Sequence, residues 1–196
     1  MGAGELRTQA GQPPRRGDRM SWLEAERSEL AAERILDAAG ALFVERGVDR
    51  PGMDEVARAA GCSRATLYRY FENRQALIHA FAHREARLIT TQVGQAVADI
   101  SDPQRRVVEA VLACLAAVRE RPHLAAWYSG DSTLLREVLR DSPIIRGVAQ
   151  SYLASGDEDP DLADWVLRII LSFLTEPGED AATERRLLER FLPVPR

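Results

Sequence analysis

Apolar residues recur every third or fourth position along most of this chain, and where that rhythm stops a glycine or a proline stands. The spacing is that of helices buried on one side, and no stretch alternates with the period of two that a half-buried strand needs. The predicted fold class is all-α. Ile35, Ala38, Ala39, Leu42 and Phe43 share one face of a first strong helix, which Gly47 ends, with Arg46 complementing its dipole. Met53, Val56, Ala57 and Ala60 stand at i, i+3, i+4 and i+7 of a short second helix closed by Gly61. A third helix covers about 63–71. A long fourth, about 73–100, would be roughly 40 Å long. It turns Leu77, Ile78, Phe81, Leu88, Ile89, Val93 and Val97 inward.

Pro103 opens a fifth helix, with Val107, Val108, Val111, Leu115 and Val118 inside, and Pro122 closes it. A short segment with Trp127 and Tyr128 follows, then helices at 131–142 and 144–154. Asp159 and Pro160 supply the cap and first residue of the next helix. There Asp164, Arg168, Ser172 and Thr175 form one narrow polar stripe in an otherwise apolar surface, so the helix is expected to be buried on most sides, as at a subunit interface. A final helix brings Leu187, Leu188 and Phe191 together before Pro193.

Residues 1–20, rich in Gly, Pro, Gln and Arg, are expected to be a disordered arm. Ser21 and Glu24 look like the capping box that starts ordered structure. Apolar residues are 45% of the 196, enough for a real core, yet no apolar run reaches the roughly 18 residues that span a bilayer. The first residues also lack the apolar stretch of a secretory signal, so a cytoplasmic protein with no membrane partner is expected. Cys62 and Cys114 have neither metal-site nor redox-motif spacing and read as reduced thiols.

The net charge of −4 gives no support to nucleic-acid binding, so any such role must rest on a local patch. The stretch from Met53 to Asn73 supplies one. Two short helices joined by a tight turn at Gly61-Cys62 make the helix-turn-helix pattern. Gly61 can take positive φ without a Cβ clash, and Ser63 can cap the next helix through the amide of Thr66 or Ala65. Leu67, Tyr70 and Phe71 can pack inward, while Arg64, Ala65, Tyr68 and Arg69 point away. An arginine suits a guanine edge and an alanine a thymine methyl, while Thr66 and Tyr68 hydroxyls suit phosphates. Arg64, Arg69 and Arg74 face only Glu72 between positions 63 and 74, a basic patch inside an acidic protein. A plain helical hairpin with no DNA role fits the spacing equally.

Family resemblance decides between them. Arg34-Ile35-Leu36-Asp37-Ala38-Ala39, Leu42-Phe43 and Glu45-Arg46-Gly47 resemble the first helix of TetR-family regulators. Asp54-Glu55-Val56-Ala57, Ala59-Ala60-Gly61, Ser63 and Thr66-Leu67-Tyr68-Arg69-Tyr70-Phe71 resemble the rest of that family's DNA-binding domain, and Asn73-Arg74-Gln75-Ala76-Leu77 the stretch after it. The resemblance covers about 33–81. It implies a homodimeric transcriptional regulator bound to a palindromic operator in double-stranded DNA, with a DNA-binding domain at 21–72 and a helical ligand-binding and dimerisation domain at 73–196. An unidentified small-molecule effector would enter the latter, shift the long helix and spread the recognition helices. DNA contacts are expected from Arg50, Ser63, Arg64, Ala65, Thr66, Tyr68, Arg69, Tyr70 and Arg74. In one departure, Pro51-Gly52 replaces the family's Thr or Ser cap on the second helix, so that phosphate contact is lost or passes to a backbone amide, with Arg50 nearby to compensate.

Arg119, His123, Trp127, Tyr128 and Tyr152 could line the effector pocket, or equally an ordinary core. Trp165, Ile169, Phe173, Leu187 and Phe191 are the expected dimer interface. His79 and His83, four apart, have metal-ligand spacing but no third ligand, so no metal is expected. Nucleophile-elbow, zincin, P-loop and dinucleotide motifs are all missing, and no enzyme and no cofactor are expected. A ligand-sequestering protein with impaired DNA binding and an activator on the same fold are the alternatives.

Overall fold

A computed structural model describes residues 16–128 and 160–192. Among the described residues there are eight helices and no strand: α1 (Arg16–Arg46), α2 (Met53–Ala60), α3 (Arg64–Tyr70), α4 (Arg74–Val97), α5 (Pro103–Arg119), α6 (Pro122–Tyr128), α7 (Pro160–Thr175) and α8 (Ala181–Phe191). The helices expected at 131–142 and 144–154 lie outside the described residues, as does the Asp159 cap. No helix among the described residues is long and apolar enough to cross a membrane.

Two corrections concern boundaries. Residues 16–20 are helical, and Ser21 lies inside α1 rather than capping it. Pro13-Pro14 are the last strong breakers of the arm, and beyond them Arg, Met, Leu, Glu and Ala outweigh the single Gly17. Pro122 opens α6 rather than closing α5, which ends at Arg119.

Residues 1–34 and 35–196 group as separate units, and every contact below lies within the second. Local chemistry sets most helix starts there. Asn73, Asp102 and Asp180 accept, through their side chains, from the amides of Ala76, Arg105 and Thr183 at 2.7–2.8 Å.

In α4 a buried stripe runs through Leu77, Phe81, Glu85, Ile89, Val93 and Val97, one residue in four. Four residues overshoot a turn by about 40°, so such a stripe winds around the helix. Its first half meets α1 and its second half meets α5, the partner on which α4 packs most extensively. Leu88 falls off the winding stripe and is 52% exposed, against the inward position expected for it. The wall between the head, made of α2, α3 and residues 35–46 of α1, and the body, α4 to α8, is aromatic. Phe81 of α4 makes edge contacts with Phe43 of α1 at 5.3 Å and His123 of α6 at 5.4 Å, and Trp127 lies 5.7 Å away. A Cβ at Gly40 would stand 2.9 Å from the Phe81 ring, which explains a glycine in the middle of a helix. The body's core joins Val107, Val108, Val111 and Leu115 of α5 to Val166 of α7 and Leu188 of α8.

Candidate nucleic-acid interface

Gly61 makes the turn between α2 and α3. It holds φ 67°, ψ 33°, the left-handed region that suits glycine. Its amide donates to the Arg58 carbonyl at 3.2 Å, and the Cys62 amide to that of Ala57 at 3.0 Å. These two bonds satisfy carbonyls that the end of α2 would otherwise leave open. Ser63 Oγ then accepts from the Thr66 amide at 3.0 Å and caps α3. Met53, Val56, Ala57 and Ala60 are buried, and so is Leu67 of α3. The pairing leaves Ser63, Arg64, Ala65, Tyr68 and Arg69 exposed on one face, as the sequence pattern predicts.

At the start of α2, Gly52 is the cap residue, and the Glu55 carboxylate accepts from its amide at 3.0 Å. The Gly52 amide first, then Arg46 at 2.6 Å, hold the Glu55 carboxyl below its usual range. The Gly52 amide is thus already committed to Glu55.

Several basic side chains are engaged in ways the sequence hides. Arg74 was expected at phosphate, but its half-buried guanidinium donates from Nε to the Pro51 carbonyl at 3.1 Å and from Nη2 to the Val48 carbonyl. It ties the start of α4 to the α1–α2 loop. Arg50 of that loop is exposed. Arg64 donates from Nη1 to Asp54 Oδ2 at 3.0 Å, and its guanidinium lies 5.4 Å from the Tyr68 ring centre. Arg69 lies over the half-buried Tyr70 ring at 5.2 Å. The Thr66 hydroxyl is 2.8 Å from Ser63 Oγ.

Among the described residues expected to line an effector pocket, His123 and Trp127 both meet Phe81, whereas Arg119 is bound to Glu184. Trp127 is 2% exposed and belongs to the aromatic cluster, with its Nε1 buried and unpartnered. His123 donates from Nε2 to Glu85 at 2.9 Å. Arg119 lines an open cleft of about 630 Å³ with Val118, Leu174 and Gly178, and is bound to Glu184. The Tyr128 side chain and Tyr152 lie outside the described residues. Sequence reading missed Glu85 and Glu184, both buried carboxylates, 3% and 2% exposed. Each occupies an apolar stripe at four-residue spacing, Phe81-Glu85-Ile89 and Glu184-Leu188-Leu192, which was the available signal. Glu85 meets Arg84, Arg121 and His123, and Arg84 reaches Asp37 of α1 at 2.8 Å.

The His79 and His83 rings are 6.3 Å apart, and among the described residues no metal-binding group of three forms around them. Burial first, then His79 and Arg87, pushes the His83 imidazole below its usual value. On α7 and α8, Trp165, Leu187 and Phe191 are 51%, 39% and 59% exposed, whereas Ile169 and Phe173 are half-buried against the core.

A short helix capped behind a left-handed glycine, with arginines and a tyrosine on its outer face, is the geometry of a helix-turn-helix. Residues 35–81 match the profile of bacterial regulatory proteins, tetR family. An uncharacterized HTH-type transcriptional regulator of Mycobacterium tuberculosis is 42% identical over 177 residues, spanning 87% of this chain and 88% of that one. The HTH-type transcriptional activator FasR of Mycolicibacterium smegmatis is 36% identical over 108 residues, 55% of this chain and 46% of its own. The crystal structure of the TetR family repressor AlkX from a Dietzia strain, implicated in biodegradation of n-alkanes, matches 83% of this chain and 93% of its own at 26% identity and a TM-score of 0.63. This chain belongs to the TetR family of bacterial regulatory proteins.

Proposed function

We propose that this regulator is a dimeric repressor, seated on a palindromic operator and released by a small-molecule effector. The observation that carries the reading is the outer face of α3, where Arg64, Ala65, Tyr68 and Arg69 stand clear of the core. Arg64 reads a guanine edge and Ala65 makes room for a base or a thymine methyl. Tyr68, Arg69, Tyr70, Ser63, Thr66 and Arg50 position the backbone, and Arg74 holds the head rigid through Val48 and Pro51. Likeness to the AlkX repressor over most of both chains supports repression. The apolar stripe of Trp165, Leu187 and Phe191 supports a partner subunit on α7 and α8.

The effector acts on the body through α6. Trp127 and His123 touch Phe81 and Glu85 of α4, and Arg84 and Phe81 of the same helix touch Asp37 and Phe43 of α1. A shift of α6 therefore has a packed path to the head. Activation on the same fold is the second reading, favoured by the match to FasR.

Fluorescence anisotropy on the duplex upstream of the regulator's own gene tests the proposal, with a scrambled duplex as control and salt titrated. Specific binding that falls steeply with salt is expected. Equal binding to both duplexes, together with no enriched site from a random-sequence library, sinks it. A promoter–reporter assay with and without the protein separates repression from activation.

A further inference from the structure

Arg64 is the first residue of α3, beside the positive end of that helix, and the first turn of α3 carries no acid to balance it. The balancing charge comes from α2. Asp54 Oδ2 accepts from Arg64 Nη1 at 3.0 Å, and the guanidinium carbon lies 5.4 Å from the Tyr68 ring centre. Both partners are exposed, Arg64 at 65% and Asp54 at 56% of their side chains. As a stabilising ion pair this is worth little. Its geometry has another use. A guanidinium carries five N–H groups in a rigid fork, and the carboxylate takes one of them. The rest of the fork stays open, on the exposed face that meets DNA.

We propose that Asp54 is a specificity-determining positioning residue: it holds the Arg64 guanidinium in the orientation that reads one guanine in each half-site. The inference rests on the proposed reading of DNA by the outer face of α3. A free arginine side chain loses substantial rotamer freedom when it docks. One already biased by a carboxylate bond and a neighbouring ring has less to lose, and the bias favours one direction. The same exposed carboxylate lies 3.0 Å from Arg64, so on this reading it repels the phosphates of DNA of every sequence alike. Asp54 therefore trades general affinity for selectivity. Removing it should move the two quantities in opposite directions, which a folding defect would not do.

The test is a random-duplex selection followed by anisotropy on the selected site, for wild type, Arg64→Ala, Asp54→Ala, Asp54→Asn, Asp54→Glu and the Arg64→Ala/Asp54→Ala double variant. Circular dichroism confirms that each is folded. Arg64→Ala should lower the guanine preference at one base pair per half-site by roughly 10-fold or more. Asp54→Ala and Asp54→Asn should lower preference at that same base pair by roughly 3- to 10-fold, with equal or tighter binding to scrambled DNA. Asp54→Glu should restore most of the preference, and the double variant should select the same site as Arg64→Ala. An Asp54→Ala motif identical to wild type, beside an altered Arg64→Ala motif, overturns the positioning role and leaves Arg64 as reader. A change at a different base pair also overturns it, since Asp54 would then be reading a cytosine amino group directly. A motif unchanged by Arg64→Ala would instead overturn the proposed reading by α3 on which the inference rests.

Discussion

Arg119→Ala should be among the most damaging single changes in the body of the molecule. The Arg119 guanidinium donates to both oxygens of Glu184 at 2.8 Å and to the Phe173 carbonyl at 2.9 Å, so one side chain of α5 fastens α7 and α8. Truncation would leave the Glu184 carboxylate, 2% exposed, with the Gly178 amide at 3.0 Å. Stripping the partner from a fully buried pair costs about 3–5 kcal/mol. The Arg119 side chain is 39% exposed, so water reaches the gap and screens the charge. The discounted cost is about 2 kcal/mol, or roughly 4–8 °C in Tm for a chain of this size.

Acid should narrow the difference. Arg119, then the Gly178 amide, holds the Glu184 carboxyl below its usual value. A carboxylate with a depressed folded pKa contributes stability above its unfolded pKa, about 4.3, and loses that contribution as pH falls through the folded value. Urea unfolding followed by circular dichroism, at one fixed protein concentration so that subunit association does not intrude, measures the gap. It should be full at pH 7 and shrink below about pH 4. A variant within about 0.5 kcal/mol of wild type at pH 7, or a gap that persists unchanged into acid, refutes the reasoning.

Gly61→Ala puts a Cβ on a left-handed residue at φ 67° and should cost about 1–2 kcal/mol, with a matching loss of DNA affinity, read by thermal unfolding and anisotropy. Ser63→Ala removes the cap bond to Thr66 and should cost about 1 kcal/mol in the same assays. Phe191→Glu and Trp165→Glu, each at a side chain more than half exposed, should leave the monomer folded but shift sedimentation from dimer towards monomer; unchanged sedimentation would move the interface elsewhere. Burial pushes the Cys114 thiol up to about 11, so at pH 8 a thiol reagent should label Cys62 quickly and Cys114 only on unfolding.

The turn and the exposed face of α3 were legible because their causes are local. Met53, Val56, Ala57 and Ala60 identify a buried face by their spacing, Gly61 and Ser63 announce a stop and a start, and the outward set Arg64, Ala65, Tyr68 and Arg69 follows from helical period. Arg74 reads as a phosphate ligand because it stands beside a helix start, and its two carbonyl bonds were not legible. Its partners, the carbonyls of Pro51 and Val48, lie 23 and 26 residues back, and nothing near Arg74 marks them. Leu88 was misread because a rigid seven-residue repeat places it beside Phe81, whereas the stripe actually buried winds away from it.

The sequence by itself determined where most of these helices begin and end, which face of each is apolar and which side chains α3 leaves exposed. Those properties depend on interactions within a few residues, and side-chain spacing writes them directly. Only the tertiary structure decided how charge is spent. It set Glu85 against His123, Glu184 against Arg119, Arg74 against two carbonyls and Asp54 against Arg64. A charged group's role depends on which distant element supplies its counter-charge and how much water is left between them. That is fixed only when the helices pack.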